Sequence, residues 1–172
     1  MSRIYTLIQR AADATSIEPL ARKSKREVVE QLQLWAALES MAARLAASSA
    51  SDAAIAGLRR ILEELRNSPS SENPDEYSAL ELRFHSTLVA SSGSRSIEES
   101  TRWLLALRRA VSRATATHDD LAARACVEYL KLIEAIENRD AETAERVSRE
   151  HTLVLAGHVE LHWDFLRHRL MG

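Results

Sequence analysis

Glycine and proline are the residues that most readily interrupt a helix, and this chain has 4 and 3 of them in 172 positions. The stretches between them are rich in Ala, Leu, Glu and Arg, with few β-branched or aromatic runs. Helix is therefore favoured almost everywhere. An all-α fold follows, and the length suits one domain with a real hydrophobic core.

Apolar spacing divides the chain. Residues 3 to 12 predict a short helix, and Thr15 to Lys23, aperiodic and containing Pro19, reads as a linker, so residues 1–23 form an extension before a domain at 24–172. Ser24 with Glu27 three residues later is a capping box that opens a helix to about Ala47, with Val28, Leu32, Trp35, Leu38, Met41 and Leu45 on one face. A second helix is predicted from Asp52 to Arg66, and the polar segment Asn67 to Pro74 as a loop. A third, Asp75 to Ser91, ends at Gly93, a suitable C-terminal cap. The pattern then predicts helices over 96–115 and 119–138. A tight Asn138-Arg139-Asp140 connection leads into a last long helix at 140–169, antiparallel to the one before. That last helix carries His151 and His158 in its apolar stripe, with Val154, Leu161 and Phe165.

Glu81 and His85 stand one helical turn apart beside the apolar stripe of the third helix. Titratable groups at core-facing positions cost several kcal/mol unless paired or bound to something. An internal polar site is the leading expectation. The ordinary alternative is an i,i+4 pair on a partly buried face, worth a few tenths of a kcal/mol, with Tyr129 and His151 hydrogen-bonded in a polar core.

The formal net charge of -2 gives no general attraction to a polyanion, so nonspecific nucleic-acid binding is not suggested. Cys126 is the single cysteine and no apolar run approaches a membrane span or a secretory signal. A cytoplasmic protein is the expectation.

Several segments carry a family resemblance: Leu38-Glu39 followed by Ala42-Ala43-Arg44-Leu45-Ala46-Ala47, Arg83-Phe84-His85 followed by Leu88-Val89-Ala90-Ser91-Ser92-Gly93, and Leu132-Ile133-Glu134-Ala135-Ile136 leading to Asp140, Ala144 and His151. In order and spacing, over about residues 24 to 155, this resembles the FCD domain, the C-terminal effector-binding domain of FadR-type GntR transcription regulators. The resemblance implies an antiparallel bundle of six to seven helices that usually dimerises. It also implies a polar cavity for a small carboxylate or sugar acid, often with a divalent metal held by an aspartate and three histidines. Carried over by position, the metal ligands are Glu81 in the aspartate's place, His85 and His151, and the remaining histidine position is Tyr129.

Two imidazoles and a carboxylate can hold Zn²⁺, Ni²⁺ or Mn²⁺ with positions left open. Tyrosine is a poor ligand while neutral. His158, two turns beyond His151, lies about 11 Å along the helix and is badly placed to replace the missing donor. The family's arginine four residues before Glu39 is Trp35 here, and Ser94 stands where an asparagine is usual. Trp35, Tyr129, Arg102 and His158 are the expected ligand-binding residues. Arg102, Arg108 and Arg109 are the candidate counter-charges for a carboxylate, each with a solvated helix face as its ordinary role. Trp35 and Tyr129 suggest a less polar cavity, and the implied effector is a carboxylate or an aromatic metabolite.

Such regulators read DNA through an N-terminal winged helix-turn-helix. The 23 residues before the domain are too few to supply one, so the expectation is a sensor domain, working as a homodimer, that does not itself bind an operator. The alternative is a stand-alone enzyme that uses the Glu/His cavity for metal-assisted or general acid–base chemistry. No nucleophile–base–orienter set or phosphate loop in the sequence supports that reading.

Overall fold

The computed structural model describes residues 23–68, 70–116 and 118–170. The helix expected at 3 to 12 and nearly all of the linker lie outside these residues. The elements are α1 (Lys25–Ser49), α2 (Asp52–Asn67), α3 (Pro74–Ser91), α4 (Arg95–Thr101), a 3-10 turn (Arg102–Leu104), α5 (Leu105–Thr115), α6 (Asp119–Glu137), α7 (Ala141–Leu161) and α8 (Trp163–Leu170). The fold is all-α, as expected from the sequence.

Local chemistry explains where the helices start and stop. The Ser24 hydroxyl accepts the Glu27 amide at 3.3 Å while the Glu27 carboxylate accepts the Ser24 amide at 2.8 Å, completing the capping box of α1. Asn73 caps α3, with Pro74 in the first turn where its missing N–H costs nothing. Gly93 follows α3 at a φ of 66°, a conformation that disfavours any residue with a Cβ. Arg139, at a φ of 60°, makes the tight turn between α6 and α7. Its guanidinium Nη1 donates to the Ala50 carbonyl at 3.0 Å, tying that turn to the end of α1.

α1 makes its most extensive contact with α7, while α3 packs against α1, α2 and α5. Two apolar clusters result. One gathers Ala43, Ala46, Leu58, Leu62, Phe84, Ile133 and Ile136 around α2, α3 and α6, and the other gathers Val28, Leu32, Trp35, Leu104, Val111, Val159 and Leu166 around α1, α5, α7 and α8.

Three expectations are corrected here. Met41 and Leu45 are 43% and 37% exposed, because α1 turns Ala42, Ala43, Ala46 and Ala47 inward instead. Small side chains let two long helices approach closely, so size and not hydrophobicity chose the face. The helix predicted over 96–115 is interrupted by the 3-10 turn, which leaves Trp103 37% exposed. The last predicted helix also breaks, at His162 (φ -109°, ψ 22°), so Leu166 is buried and Phe165 is 56% exposed. His158 is accordingly only half-buried, not a core replacement.

Candidate functional site

A buried polar cluster is built from four helices that converge on one point, with a fifth supplying its supporting carboxylate. Glu39 comes from α1, Glu81 and His85 from α3, Arg108 and Ser112 from α5, Glu128 and Tyr129 from α6, and His151 from α7. Glu39, His85, Arg108, Ser112 and Tyr129 are each no more than 2% exposed. Burying this many polar groups is tolerable only if they satisfy one another.

Most of them do. His85 donates through Nδ1 to the Glu39 carboxylate in a short hydrogen bond, and Nδ1 of His151 lies 2.8 Å from Glu128 Oε2. With a carboxylate on Nδ1, each ring carries its proton there and turns the Nε2 lone pair inward. Both lone pairs meet the same nitrogen: Arg108 Nη2 lies 2.7 Å from His85 Nε2 and 3.3 Å from His151 Nε2. Tyr129 donates its hydroxyl proton to Glu81 Oε1 at 2.6 Å, and Ser112 donates to the other Glu81 oxygen. Phe84 stacks on Tyr129 at 4.2 Å between ring centroids and fixes its plane.

Electrostatics follow from this arrangement. Burial alone would raise Glu81, but the Arg108 guanidinium and the Ser112 and Tyr129 hydroxyls hold it below the usual carboxylate range. Burial is likewise overcome at Glu39, where the His85 hydrogen bond and the Arg108 charge keep the carboxylate ionised. Burial holds His85 below its ordinary value against the pull of Glu39, so the ring is neutral near pH 7. Burial and the Glu81 charge push the Tyr129 phenol well above 10.0, so it remains a protonated donor.

Two donors of the cluster are left over. Nε and Nη1 of Arg108 are buried with no hydrogen-bond partner, the nearest carboxylate oxygen being Glu81 Oε2 at 3.8 Å from Nη1. Orphan buried donors cost about 1–3 kcal/mol each, which makes them natural receptors for an acceptor atom. Arg108, Glu81 and His151 border a narrow cavity of about 40 Å³ whose other walls include Tyr77, Ala125 and Glu128. That space admits a few waters or one carboxylate group, each water needing roughly 10–15 Å³.

Glu81, His85, Tyr129 and His151 thus meet, as the positional carry-over expects. Trp35 stands at the edge of the cluster, its ring 6.0 Å from that of His85 and nearly perpendicular to it. Arg102 is exposed on the 3-10 turn, away from the cluster. His158 belongs to another group, its ring 4.8 Å from His118 and 4.4 Å from His162. The counter-charge inside is Arg108, which is 2% exposed and not on a solvated helix face. Its signal was Leu104 and Val111 at i−4 and i+3, which place it on an apolar stripe.

As arranged, the donors do not fit a divalent ion. Both imidazole lone pairs are engaged by a guanidinium, Tyr129 is held protonated, and among the described residues no group of three His, Cys, Asp or Glu side chains is arranged to hold a metal. Nor is any helix among them long and apolar enough to cross a membrane.

Comparison with known proteins agrees with this architecture. A solved structure described as Streptococcus agalactiae GntR superimposes with a TM-score of 0.64 at 17% identity, over 80% of this chain and 61% of that one. The likeness shows a shared fold, and the present chain spans less than two thirds of that protein's length. No curated protein sequence matches the chain significantly. The sequence pattern of the FCD domain matches residues 30–153, most of the described chain, and the protein belongs to the FCD domain family.

Proposed function

We propose that this chain is the small-molecule sensor of a GntR-type transcription regulator, acting in the cytoplasm as a homodimer, and that its effector is a carboxylate or an aromatic acid. The observation that carries the reading is the buried Arg108, whose Nε and Nη1 lack partners beside a half-open cavity between the helices. A carboxylate supplies acceptors for those donors at little desolvation cost, since the guanidinium is already buried. The space beside Arg108 takes only the acidic end, and the rest of a metabolite would lie against walls contributed by α3, α5, α6 and α7, so that its binding favours one packing of those helices over another. Such differential binding is what converts occupancy into a shift between two states. Leu34, Met41 and Leu45, exposed along one face of α1, provide apolar surface for self-association.

Thermal denaturation against a panel of aliphatic and aromatic carboxylates tests the proposal. A true effector at a hundred times its Kd adds about 2.7 kcal/mol, a rise of several degrees in Tm for a chain of this size. The same acid should give no rise with Arg108→Gln. A panel in which only uncharged compounds raise Tm, or in which Arg108→Gln responds like the wild type, would overturn it.

A further inference from the structure

The surroundings of Arg108 are those of a metal ion. Two imidazoles present Nε2 lone pairs to its Nη2, at 2.7 and 3.3 Å. Behind each imidazole stands a carboxylate on Nδ1, Glu39 for His85 and Glu128 for His151. Carboxylates so placed fix the tautomer and raise the basicity of a ligating histidine, in addition to satisfying a buried N–H. Glu81 brings an ionised oxygen to the same point, 3.8 Å from Nη1. Two imidazole nitrogens and one carboxylate form the donor set of many divalent centres.

We propose that the guanidinium of Arg108 has taken the place of the metal: the chain keeps the ligands and their supporting carboxylates but supplies the cation from α5. The hydrogen bonding of the substitution is matched: the Nη2 group has two hydrogens for two lone pairs, and the single positive charge is shared between Glu81 and Glu39, which also keep hydrogen bonds from Ser112, Tyr129 and His85. Tyr129 directs its proton to Glu81, so at the two imidazoles, whose Nε2 atoms lie 3.1 and 3.2 Å from its oxygen, the hydrogens come from Arg108. A ligand then meets hydrogen-bond donors fixed in the protein, not open coordination positions, and chelators do not alter its binding. The substitution is read from the side chains alone, so it stands or falls separately from the sensor reading.

The test is metal titration of the full chain after chelation and dialysis, with ZnCl₂ and NiCl₂ as probes and elemental analysis for stoichiometry. The wild type should bind no stoichiometric ion. Arg108→Ala, which clears the centre, should bind about one ion per chain, and adding His151→Ala should abolish it. If Arg108→Ala is unfolded without metal, refolding driven by Zn²⁺ is the same readout, because the ion binds only the assembled site. Nitrogen NMR of the wild type gives a measurement free of variants. Nδ1–H tautomers at His85 and His151 that ignore added Zn²⁺ support the substitution. Stoichiometric Zn²⁺ in the wild type that His151→Ala removes, or a folded Arg108→Ala that binds none, would overturn it.

Discussion

Arg108 and His85 are joined through Nη2 and Nε2 at 2.7 Å in a place where neither side chain exceeds 2% exposure. The contact exists because Glu39 accepts the Nδ1–H of His85, which leaves the Nε2 lone pair for a cation to approach. Removing the cation leaves the buried carboxylates of Glu81 and Glu39 with hydrogen-bond donors but no opposite charge. Arg108→Met, which keeps an unbranched apolar stem and removes the charge, is expected to lose about 3–5 kcal/mol at neutral pH. Urea unfolding followed by circular dichroism measures it, and a loss below the range of an ordinary surface substitution would mean that the charge is solvated.

Tyr129 links the two sides of the cluster, since its hydroxyl serves Glu81 while its ring stacks on Phe84. Tyr129→Phe keeps the stack and removes the donor. A hydrogen bond to a charged group contributes about 1.5–3 kcal/mol, and that is the expected fall in unfolding free energy. The double variant with Glu81→Gln should lose less than the sum of the two single changes, which a thermodynamic cycle reads directly.

Stability should depend on pH on both sides of neutrality. The folded pKa of His85 is depressed by burial below its ordinary 6.5, so the unfolded chain binds more protons and stability falls as pH drops from about that value. Glu39 and Glu81, also depressed, add a steeper loss at pH below their ordinary 4.5. Tyr129 is raised, so its contribution is complete below 10.0 and is lost as pH rises above it. Urea midpoints between pH 4 and 11 should therefore form a plateau from about 7 to 9 with losses on either side. A midpoint that rises on acidification from pH 7 to pH 5 would contradict the neutral assignment of His85.

Met41 is 43% exposed beside Leu45 and one turn pair from Leu34 on the same face of α1. If that face joins two copies, Met41→Glu shifts the sedimentation coefficient from dimer to monomer without changing the far-ultraviolet spectrum. An unchanged coefficient would place self-association elsewhere.

Much of the helical layout could be read without coordinates. The capping box at Ser24, the stop at Gly93 and the turn at Asn138 to Asp140 depend on backbone chemistry within a few residues, and all three are present. The breaks at Arg102 and His162 were not legible. No glycine or proline marks them, and at His162 the change of direction buries Leu166, a gain that appears only when α8 meets α5. Exposure of Met41 and Leu45 was hidden for a related reason. A hydrophobic stripe and an alanine stripe compete on α1, and the closeness of α7 decides between them.

The sequence by itself determined an all-α domain, because helix periodicity and short-range spacing are properties of the chain alone, while the grouping of Glu81, His85, Tyr129 and His151 was implied by its resemblance to the FCD family. Only the tertiary structure decided what stands among them. Arg108, Glu39 and Glu128 are separated from the two histidines by 23, 46 and 23 residues, and lone-pair direction depends on which of them each ring faces. Packing of α5 between α3 and α7 put a guanidinium at the centre. That placement, and not the list of ligating residues, settles the charge and hydrogen bonding that a bound molecule would meet.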